Sequence, residues 1–598
     1  MPLKRGSTLA RCAVLALAAA AVAASSLAAT RSAGLPGKWV EVRSPHFVVV
    51  GDGGRRSVRE VATHFEQVRA LFVEALPGSA PPDGPPLRVF AASGERTLKR
   101  LLPEHWEDRS RARPAGAFRH TPTGSHVALR ADLLGDENYS IVYHEYFHFL
   151  VRGTRWKLPV WLEEGLASFW GNTRMTPKVA EVGRPDAQAL AYLRGVRFLP
   201  LAELMAVERS SPHYQRSDKT RLFYAQSWAL VHYLNLGDRS GRRREQLADY
   251  LRRSAAGKPR AQAALAFGDL AELESELRGY TRDLLFPYAK LAPPAPLGED
   301  GFAVRDLPPA ELAASAALFR LESGRTEGVE EWVALALAGA PDLVETQVAA
   351  GVFHAFEGED AEAEQAFARA TRLPGATPLA HYGLAVLTFH RDATPESLET
   401  VERHLSQALV LEPRFAPAKA RLSEVYRRTD GCSDRALIHI RGAALLHPAY
   451  PIYRLKEAQL LLECGRAEEA RTVARSAVEE AVDSESVSQN NGVCWHGSLW
   501  GLAAEVLPAC DRAVELSPEA YSILDSRGVA RAIIGDLAGA AADLGAALRH
   551  AGDRWDEETR ARRSGWLRRL ESGENPFAGD WLAELRDDPE EAGLGWLR

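Results

Sequence analysis

The chain has 598 residues and a formal net charge of −6, with 73 lysine and arginine residues against 79 aspartate and glutamate residues. This length allows several domains and at least one sizeable core. Basic and acidic residues are mixed along the chain, so nothing in its charge indicates nucleic acid or an anionic membrane as a partner. Charge alone points to no function.

The first thirty residues have the pattern of an export signal. Lys4, Arg5 and Arg11 precede an uncharged stretch from Cys12 to Ala24, and small residues suited to a signal peptidase follow. We therefore predict a signal peptide over residues 1–30 and a periplasmic or secreted protein. The uncharged stretch is short for a membrane span, but its extension through Ala29 leaves open whether the leader is cleaved or kept as an anchor. We expect no span beyond the leader.

Residues 36–291 have a mixed pattern in which β-rich runs come first. Runs at Phe47–Val50, Leu87–Ala91 and Val127–Leu129 alternate with a helical pattern at Val58–Glu74. From Asn138 onward the pattern is mainly helical. We predict an α+β domain whose sheet precedes its main helices.

The motif His144-Glu145-Tyr146-Phe147-His148 lies within this domain. On a helix, histidines four residues apart share one face and can bind a single zinc ion, and Glu145 beside them can take a proton from water. Apolar neighbours such as Phe149 and Leu150 favour a helix with a buried face. The motif predicts a hydrolytic zinc site at His144 and His148 with Glu145 as general base.

A second helix is predicted to begin near Pro159 and to carry Glu163 and Glu164 in its first turn. A catalytic zinc takes three protein ligands and keeps one position open, and two histidines with one glutamate form a known set. Neighbouring residues on a helix point about 100° apart, so helix geometry alone does not choose between the two glutamates.

The stretch Trp161-Leu162-Glu163-Glu164-Gly165-Leu166-Ala167 resembles the corresponding segment of gluzincin metallopeptidases, in which the residue before the glycine is the third zinc ligand. That resemblance implies Glu164 as the ligand. A later stretch, Phe223–Leu230, resembles the gluzincin helix whose tyrosine stabilises the oxyanion, which implies a catalytic role for Tyr224. Zinc aminopeptidases of this group carry an acid that holds the substrate amine, whereas Gly116-Ala117-Phe118-Arg119-His120 has none. We therefore expect a peptidase that is not an aminopeptidase.

The C-terminal half repeats with a period near 34 residues. A linker is predicted at 292–305, where Pro293-Pro294-Ala295-Pro296 lies, and turn glycines recur later in the chain. These glycines are Gly324, Gly358, Gly431, Gly465, Gly501 and Gly535. The period is typical of tetratricopeptide repeats, which stack helical hairpins into a solenoid. We predict an all-α solenoid over 306–590 with a C-terminal cap near Gly573–Phe577.

Removal of the leader would leave four cysteines in a compartment where disulfides persist. The repeat geometry leads us to predict that Cys432 pairs with Cys464 and that Cys494 pairs with Cys510.

Taken with the resemblance to bacterial peptidase MA-like domains joined to tetratricopeptide repeats, these patterns predict an exported metallopeptidase with one Zn²⁺. Its partners would be a peptide or protein substrate and a protein in the repeat groove. Two alternatives stay open: a non-catalytic envelope scaffold built on the repeats, and a zinc hydrolase acting on a non-protein amide or ester.

Overall fold

The computed structural model describes residues 35, 37–75, 86–107, 116–121, 124–133, 140–152, 158–176, 178–207, 217–255, 258–391, 394–448, 450–484 and 486–578. The predicted signal peptide lies outside the described residues. None of the helices in the described ranges is both long and apolar enough to span a membrane.

A six-stranded mixed sheet forms the centre of the N-terminal half. Its strands are β1 (Trp39–Arg43), β2 (Phe47–Gly51), β3 (Leu87–Ala92), β4 (Gly116–Thr121), β5 (Gly124–Arg130) and β9 (Ala303–Leu307), in the order β4-β5-β3-β2-β1-β9. The β2, β3 and β5 strands run parallel, whereas β1, β4 and β9 pair antiparallel with their neighbours. The three predicted strands are confirmed as β2, β3 and β5.

Both faces of this sheet are covered, which explains why its parallel strands are almost continuously apolar. Successive side chains point to opposite faces. Val49, Val89 and Val127 contribute to the core beneath the site helices. Val50, Phe90 and Ala128 contribute to a second core that continues into the repeats.

The α-helices of the N-terminal half pack on the sheet. They are α1 (Gly54–Ala75), α2 (Glu95–Leu101), α3 (Ser140–Arg152), α4 (Val160–Gly171), α5 (Ala187–Leu193), α6 (Leu201–Ala206), α7 (Ser217–His232), α8 (Arg242–Ala255), α9 (Arg260–Ala264) and α10 (Leu270–Tyr280). All but α2 cover the first face, and α2 contributes Leu98 and Leu101 to the second core. A small sheet of β6 (Arg174–Met175), β7 (Ala180–Val182) and β8 (Ala289–Leu291) was not predicted. Its strands are two or three residues long and carry little periodic signal.

The predicted linker at 292–305 needs a correction. Its last residues begin β9, which pairs along the whole of β1, with Glu41 opposite Arg305. The Glu41 carboxylate accepts hydrogen bonds from Arg43 Nε at 2.7 Å and Arg305 Nε at 2.8 Å. The chain therefore returns to the first sheet immediately before the repeats begin.

The C-terminal half consists of helical hairpins, in agreement with the predicted all-α solenoid. Its helices are α11 (Pro309–Leu321), α12 (Glu330–Gly339), α13 (Val344–Phe356), α14 (Asp360–Ala370), α15 (Pro378–Arg391), α16 (Pro395–Leu411), α17 (Ala416–Asp430), α18 (Asp434–Leu446), α19 (Ile452–Glu463), α20 (Ala467–Ser484), α21 (Val487–Leu499), α22 (Ala503–Leu516), α23 (Tyr521–Ile533), α24 (Leu537–Ala551) and α25 (Glu557–Glu571). All six predicted turn glycines have positive φ, from 65° to 92°.

Side-chain contacts also hold the two ends of the solenoid in place. At its start, Phe319 packs on Phe90 of the sheet with ring centroids 5.0 Å apart, and Arg88 donates to Ser315. At its end, Trp566 and Phe577 close the last hairpin, as predicted for the cap.

Both predicted disulfides are present in the structure. Cys432–Cys464 joins the ends of α17 and α19 in neighbouring hairpins, and Cys494–Cys510 joins the two helices of one hairpin.

Candidate metal centre

Helix α3 carries the His-Glu-x-x-His motif and is held by its apolar side. Tyr146 and Phe147 are buried, and the Tyr146 ring lies 5.9 Å from the Phe47 ring on strand β2. The two histidines occupy the side of α3 that meets α4. His148 is buried and His144 is half-buried. The predicted helix therefore forms, and packing on the sheet fixes its rotation.

Three side chains converge between α3 and α4. The Nε2 atoms of His144 and His148 are 3.1 Å apart, and Glu164 Oε2 lies 3.1 Å from the first and 3.4 Å from the second. Among the residues that the structure describes, no other set of three histidine, cysteine or acidic side chains converges in this way. The structure thus brings together the three residues predicted to bind zinc.

The spacing of these atoms fits a tetrahedral zinc ion. Zinc bonds of about 2.0–2.2 Å in a tetrahedron separate neighbouring ligand atoms by roughly 3.3–3.6 Å. Two imidazole nitrogens and one carboxylate oxygen are also a ligand set that zinc accepts in catalytic sites. The residues present therefore fit the metal.

The surroundings of these side chains favour a positive charge at the point of convergence. Burial disfavours the imidazolium of His148, but the hydrogen bonds that its ring donates to the Glu163 and Glu164 carboxylates outweigh this effect and raise the His148 pKa to about 9. Burial also disfavours the Glu164 carboxylate, yet the two histidines hold its pKa well below the ordinary range. Surroundings that retain a proton on a buried imidazole also attract a cation.

Helix α4 supplies more than the third candidate ligand. His148 Nδ1 lies 2.9 Å from Glu163 Oε1, and His144 Nδ1 lies 3.3 Å from Ser168 Oγ. A proton on each Nδ1 would leave each Nε2 with a free lone pair, which is the tautomer that a metal ligand needs. Glu163 and Glu164 therefore have different positions: Glu164 joins the convergence and Glu163 orients His148.

The orienting contacts of Glu163 and Ser168 were not predicted. Ser168 follows Glu164 by four residues, so the same-face rule for helices could have indicated it once Glu164 was chosen. The contact of Glu163 with His148 depends on the angle at which α3 meets α4. A local sequence pattern does not predict that angle.

Gly165 explains how α4 and α7 come close enough to share a site. A Cβ at this position would lie 2.6 Å from the Ser227 carbonyl oxygen and 2.6 Å from Val231 Cγ2. Any larger residue would push the two helices apart. The glycine after Glu164 thus has a packing reason that is independent of the family resemblance.

The structure describes both predicted catalytic residues, and Tyr224 lies beside His144. The half-buried Tyr224 on α7 has its ring 6.2 Å from the His144 ring. Glu145 is half-buried, and its carboxylate forms no hydrogen bond or ion pair with any described residue. The Gly116–His120 segment, which lacks an acid, is the edge strand β4.

Comparison with known proteins adds little on function. The family described as "Protein of unknown function (DUF1570)" matches residues 140–261, which run from α3 into α9. No curated protein matches the chain.

Solved structures similar to the chain include repeat proteins. A tetratricopeptide repeat protein from Parabacteroides merdae ATCC 43184 is 14% identical over 44% of this chain and 98% of its own, with a TM-score of 0.32. A thermophilic TPR protein of Thermus thermophilus is 18% identical over 37% of this chain and 98% of its own, with a TM-score of 0.25. MamA is 19% identical over 28% of this chain and 91% of its own, with a TM-score of 0.24. The chain therefore has TPR-like structural neighbours.

Proposed function

We propose that this protein is an exported zinc metallopeptidase whose repeat half binds a peptide or protein. The observation that carries the proposal is the convergence of His144 Nε2, His148 Nε2 and Glu164 Oε2 at 3.1–3.4 Å. The domain would be a zincin-like fold of the peptidase MA-like type, followed by tetratricopeptide repeats.

In this proposal His144, His148 and Glu164 hold one zinc ion. Zinc bound by three protein ligands lowers the pKa of a coordinated water and polarises a carbonyl group. Glu145 follows His144 on the same helix and has no competing partner among the described residues, so its carboxylate can take a proton from the attacking water and deliver it to the leaving amine. The Tyr224 hydroxyl donates a hydrogen bond to the carbonyl oxygen as that oxygen gains negative charge.

Cleavage within a chain is favoured over removal of N-terminal residues. The β4 segment Gly116-Ala117-Phe118-Arg119-His120 offers no carboxylate to hold a free substrate amine. The proposed enzyme is therefore an endopeptidase.

Export is supported by the cysteines as well as by the leader. Two disulfides in one chain favour an oxidising compartment such as the periplasm or the cell exterior.

Metal content and turnover test the proposal together. The protein should contain one equivalent of zinc by mass spectrometry, His144→Ala should contain none, and Glu145→Gln should keep zinc but lose peptide hydrolysis. Lack of zinc in the unsubstituted protein, or undiminished activity in Glu145→Gln, would overturn the proposed chemistry.

The same variants separate the two alternatives. A non-catalytic scaffold would show no turnover even with zinc bound, and its Glu145→Gln variant would behave like the parent protein. A hydrolase for other amides or esters would cleave cell-wall fragments or ester substrates, but not a quenched-fluorescence peptide library. Its activity would still require Glu145.

A further inference from the structure

The first helices of three successive hairpins, α15, α17 and α19, bring basic and aromatic side chains together. We define the basic cluster as Arg421, Arg428 and Lys456. The guanidinium groups of Arg421 and Arg428 lie 5.0 and 4.3 Å from the centroid of the Phe389 ring. The cluster is therefore built across several repeats.

The acids beside the cluster are already engaged. Glu424 accepts hydrogen bonds from Arg427 Nη2 at 2.7 Å and Nε at 2.9 Å, and from Arg428 Nε at 3.2 Å. Burial raises the Glu424 pKa, but Arg427 outweighs that effect and brings it down to about 2. Glu463 lies 3.3 Å from Arg427 Nη1. Glu424 is thus an ionised partner of Arg427 and Arg428, and Glu463 pairs with Arg427.

Arg421 has no such partner. Its side chain is only 6% exposed, its Nη1 is buried without a hydrogen-bond partner, and it forms no ion pair with a described residue. Its polar neighbour Tyr382 has a pKa raised by burial and stays neutral. A buried guanidinium without a carboxylate is costly, so an anion at this position would be stabilising.

Lys456 adds a second positive charge without an acid in contact. It is half-buried and forms no ion pair within the described part of the chain. Burial and the charges of Arg421 and Arg427 outweigh the opposing charge of Glu424 and lower the Lys456 pKa to about 8. Arg421 and Lys456 therefore repel each other across neighbouring hairpins, and an anion between them would relieve that repulsion.

We propose that the basic cluster binds the carboxylate groups of an acidic peptide. An arginine stacked on an aromatic ring keeps the edge of its guanidinium for a planar carboxylate, and stacked repeats present an extended surface suited to a peptide. The inference deepens the peptide-binding role proposed above and does not depend on the zinc site. The bound carboxylates can come from side chains or from a C-terminus.

A titration with labelled peptides tests this binding. The whole chain carrying Glu145→Gln, so that no peptide is cleaved, is mixed with fluorescein-labelled ten-residue peptides of alternating glutamate and alanine. A first peptide has an amidated C-terminus, a second replaces glutamate by glutamine and is amidated, and a third combines glutamine with a free C-terminus. We expect either the amidated glutamate peptide or the glutamine peptide with a free C-terminus to bind at least tenfold more tightly than the amidated glutamine peptide.

Two variants assign the binding to the cluster. Arg421→Gln and Lys456→Gln should each weaken acidic-peptide binding at least tenfold, whereas Arg475→Gln, which removes an exposed positive charge on α20, should not. Lys456 is less buried than Arg421, so its variant keeps the test valid if Arg421→Gln unfolds. Equal binding of the acidic and neutral peptides, or no effect of Lys456→Gln, would overturn the inference. So would tighter binding of a ten-nucleotide single-stranded DNA than of either acidic peptide.

The result is separable from the zinc chemistry. If the Glu145→Gln protein does not bind the acidic peptides while the unsubstituted protein still shows zinc-dependent turnover, only the proposal for the basic cluster is rejected. Normal peptide binding without turnover would reject only the peptidase.

Discussion

The half with the candidate metal centre and the repeat half both bury charged groups, but they balance these charges differently. In the first, every buried carboxylate at the convergence contacts an imidazole: Glu163 meets His148, and Glu164 meets both histidines. In the second, Arg421 and Lys456 lie near other cations and form no ion pair with an acid among the described residues, although the charge of Glu424 acts on Lys456. The first arrangement favours a cation and the second an anion, so one chain presents two sites of opposite preference.

The largest expected effect comes from removing the third candidate ligand. Glu164→Ala deletes the oxygen that lies near both Nε2 atoms, so the protein should lose its zinc and all measurable turnover. Metal analysis after dialysis, with peptide hydrolysis on the same sample, checks both. Retention of one zinc equivalent would show that Glu164 is not a ligand and would leave Glu163 as the candidate.

Replacing Tyr224 should separate catalysis from metal binding. Tyr224→Phe removes only the hydroxyl, and loss of one oxyanion donor typically lowers kcat by about 10²–10³-fold. Zinc content should stay at one equivalent. Phe223→Leu is the packing control, since Phe223 is a buried neighbour on α7. If both variants keep full activity, the tyrosine has no catalytic role.

The sequence predicted those features of each half that depend on residues close together in the chain. The two histidines repeat at four residues on one helix, and the hairpins repeat at a fixed period, so neither needs long-range information. Strand β9 was predicted as linker because its partner β1 lies about 260 residues earlier in the chain. The choice between Glu163 and Glu164, and the contact of Ser168 with His144, depend on how α4 crosses α3. Only tertiary packing supplies that angle.

The two disulfides should differ in accessibility although both stabilise the solenoid. Cys494 and Cys510 are fully buried, whereas Cys432 is exposed. Dithiothreitol should therefore reduce Cys432–Cys464 first, as seen by mass mapping of alkylated peptides.

Loss of the buried disulfide should also weaken the fold. The paired substitution Cys494→Ala with Cys510→Ala should lower the free energy of unfolding of the solenoid by about 3 kcal/mol. A urea titration followed by circular dichroism measures this. Simultaneous reduction of both bridges in the folded protein would contradict the difference in burial.

The orienting role of Glu163 predicts a smaller effect on metal affinity. Glu163→Gln keeps an acceptor for His148 Nδ1–H but removes the negative charge, and such changes typically weaken metal binding about 10–100-fold. Ser168→Ala should have a smaller effect, because a neutral hydroxyl at 3.3 Å is a weaker partner. Competition for zinc against a fluorescent chelator ranks the variants. An affinity unchanged in Glu163→Gln would make its contact with His148 incidental.

The smallest effect concerns Glu41, which ties β9 to β1 at the start of the repeats. It is 2% exposed, and although burial raises its pKa, the hydrogen bonds from Arg305 and Arg43 outweigh this and lower it. A carboxyl whose pKa is lowered in the folded state stabilises that state above its ordinary pKa, and this stabilisation is lost as the pH falls. Glu41→Gln should therefore cost about 1–2 kcal/mol at pH 7, a modest value because both arginines are half exposed to water. The difference from the parent protein should shrink as the pH falls below 4.5, the ordinary value for glutamate.

Thermal unfolding at pH 7 and pH 3.5 measures this loss, with Glu60→Gln as the control. Glu60 is exposed and pairs with the exposed Arg56, so its substitution should change stability by less than about 0.5 kcal/mol at either pH. If Glu41→Gln were as mild as this control, the pairing of β9 with β1 would rest on its backbone hydrogen bonds. The junction between the two halves would then differ from the candidate metal centre and from the basic cluster, because the buried charge of Glu41 would not stabilise the pairing of β9 with β1.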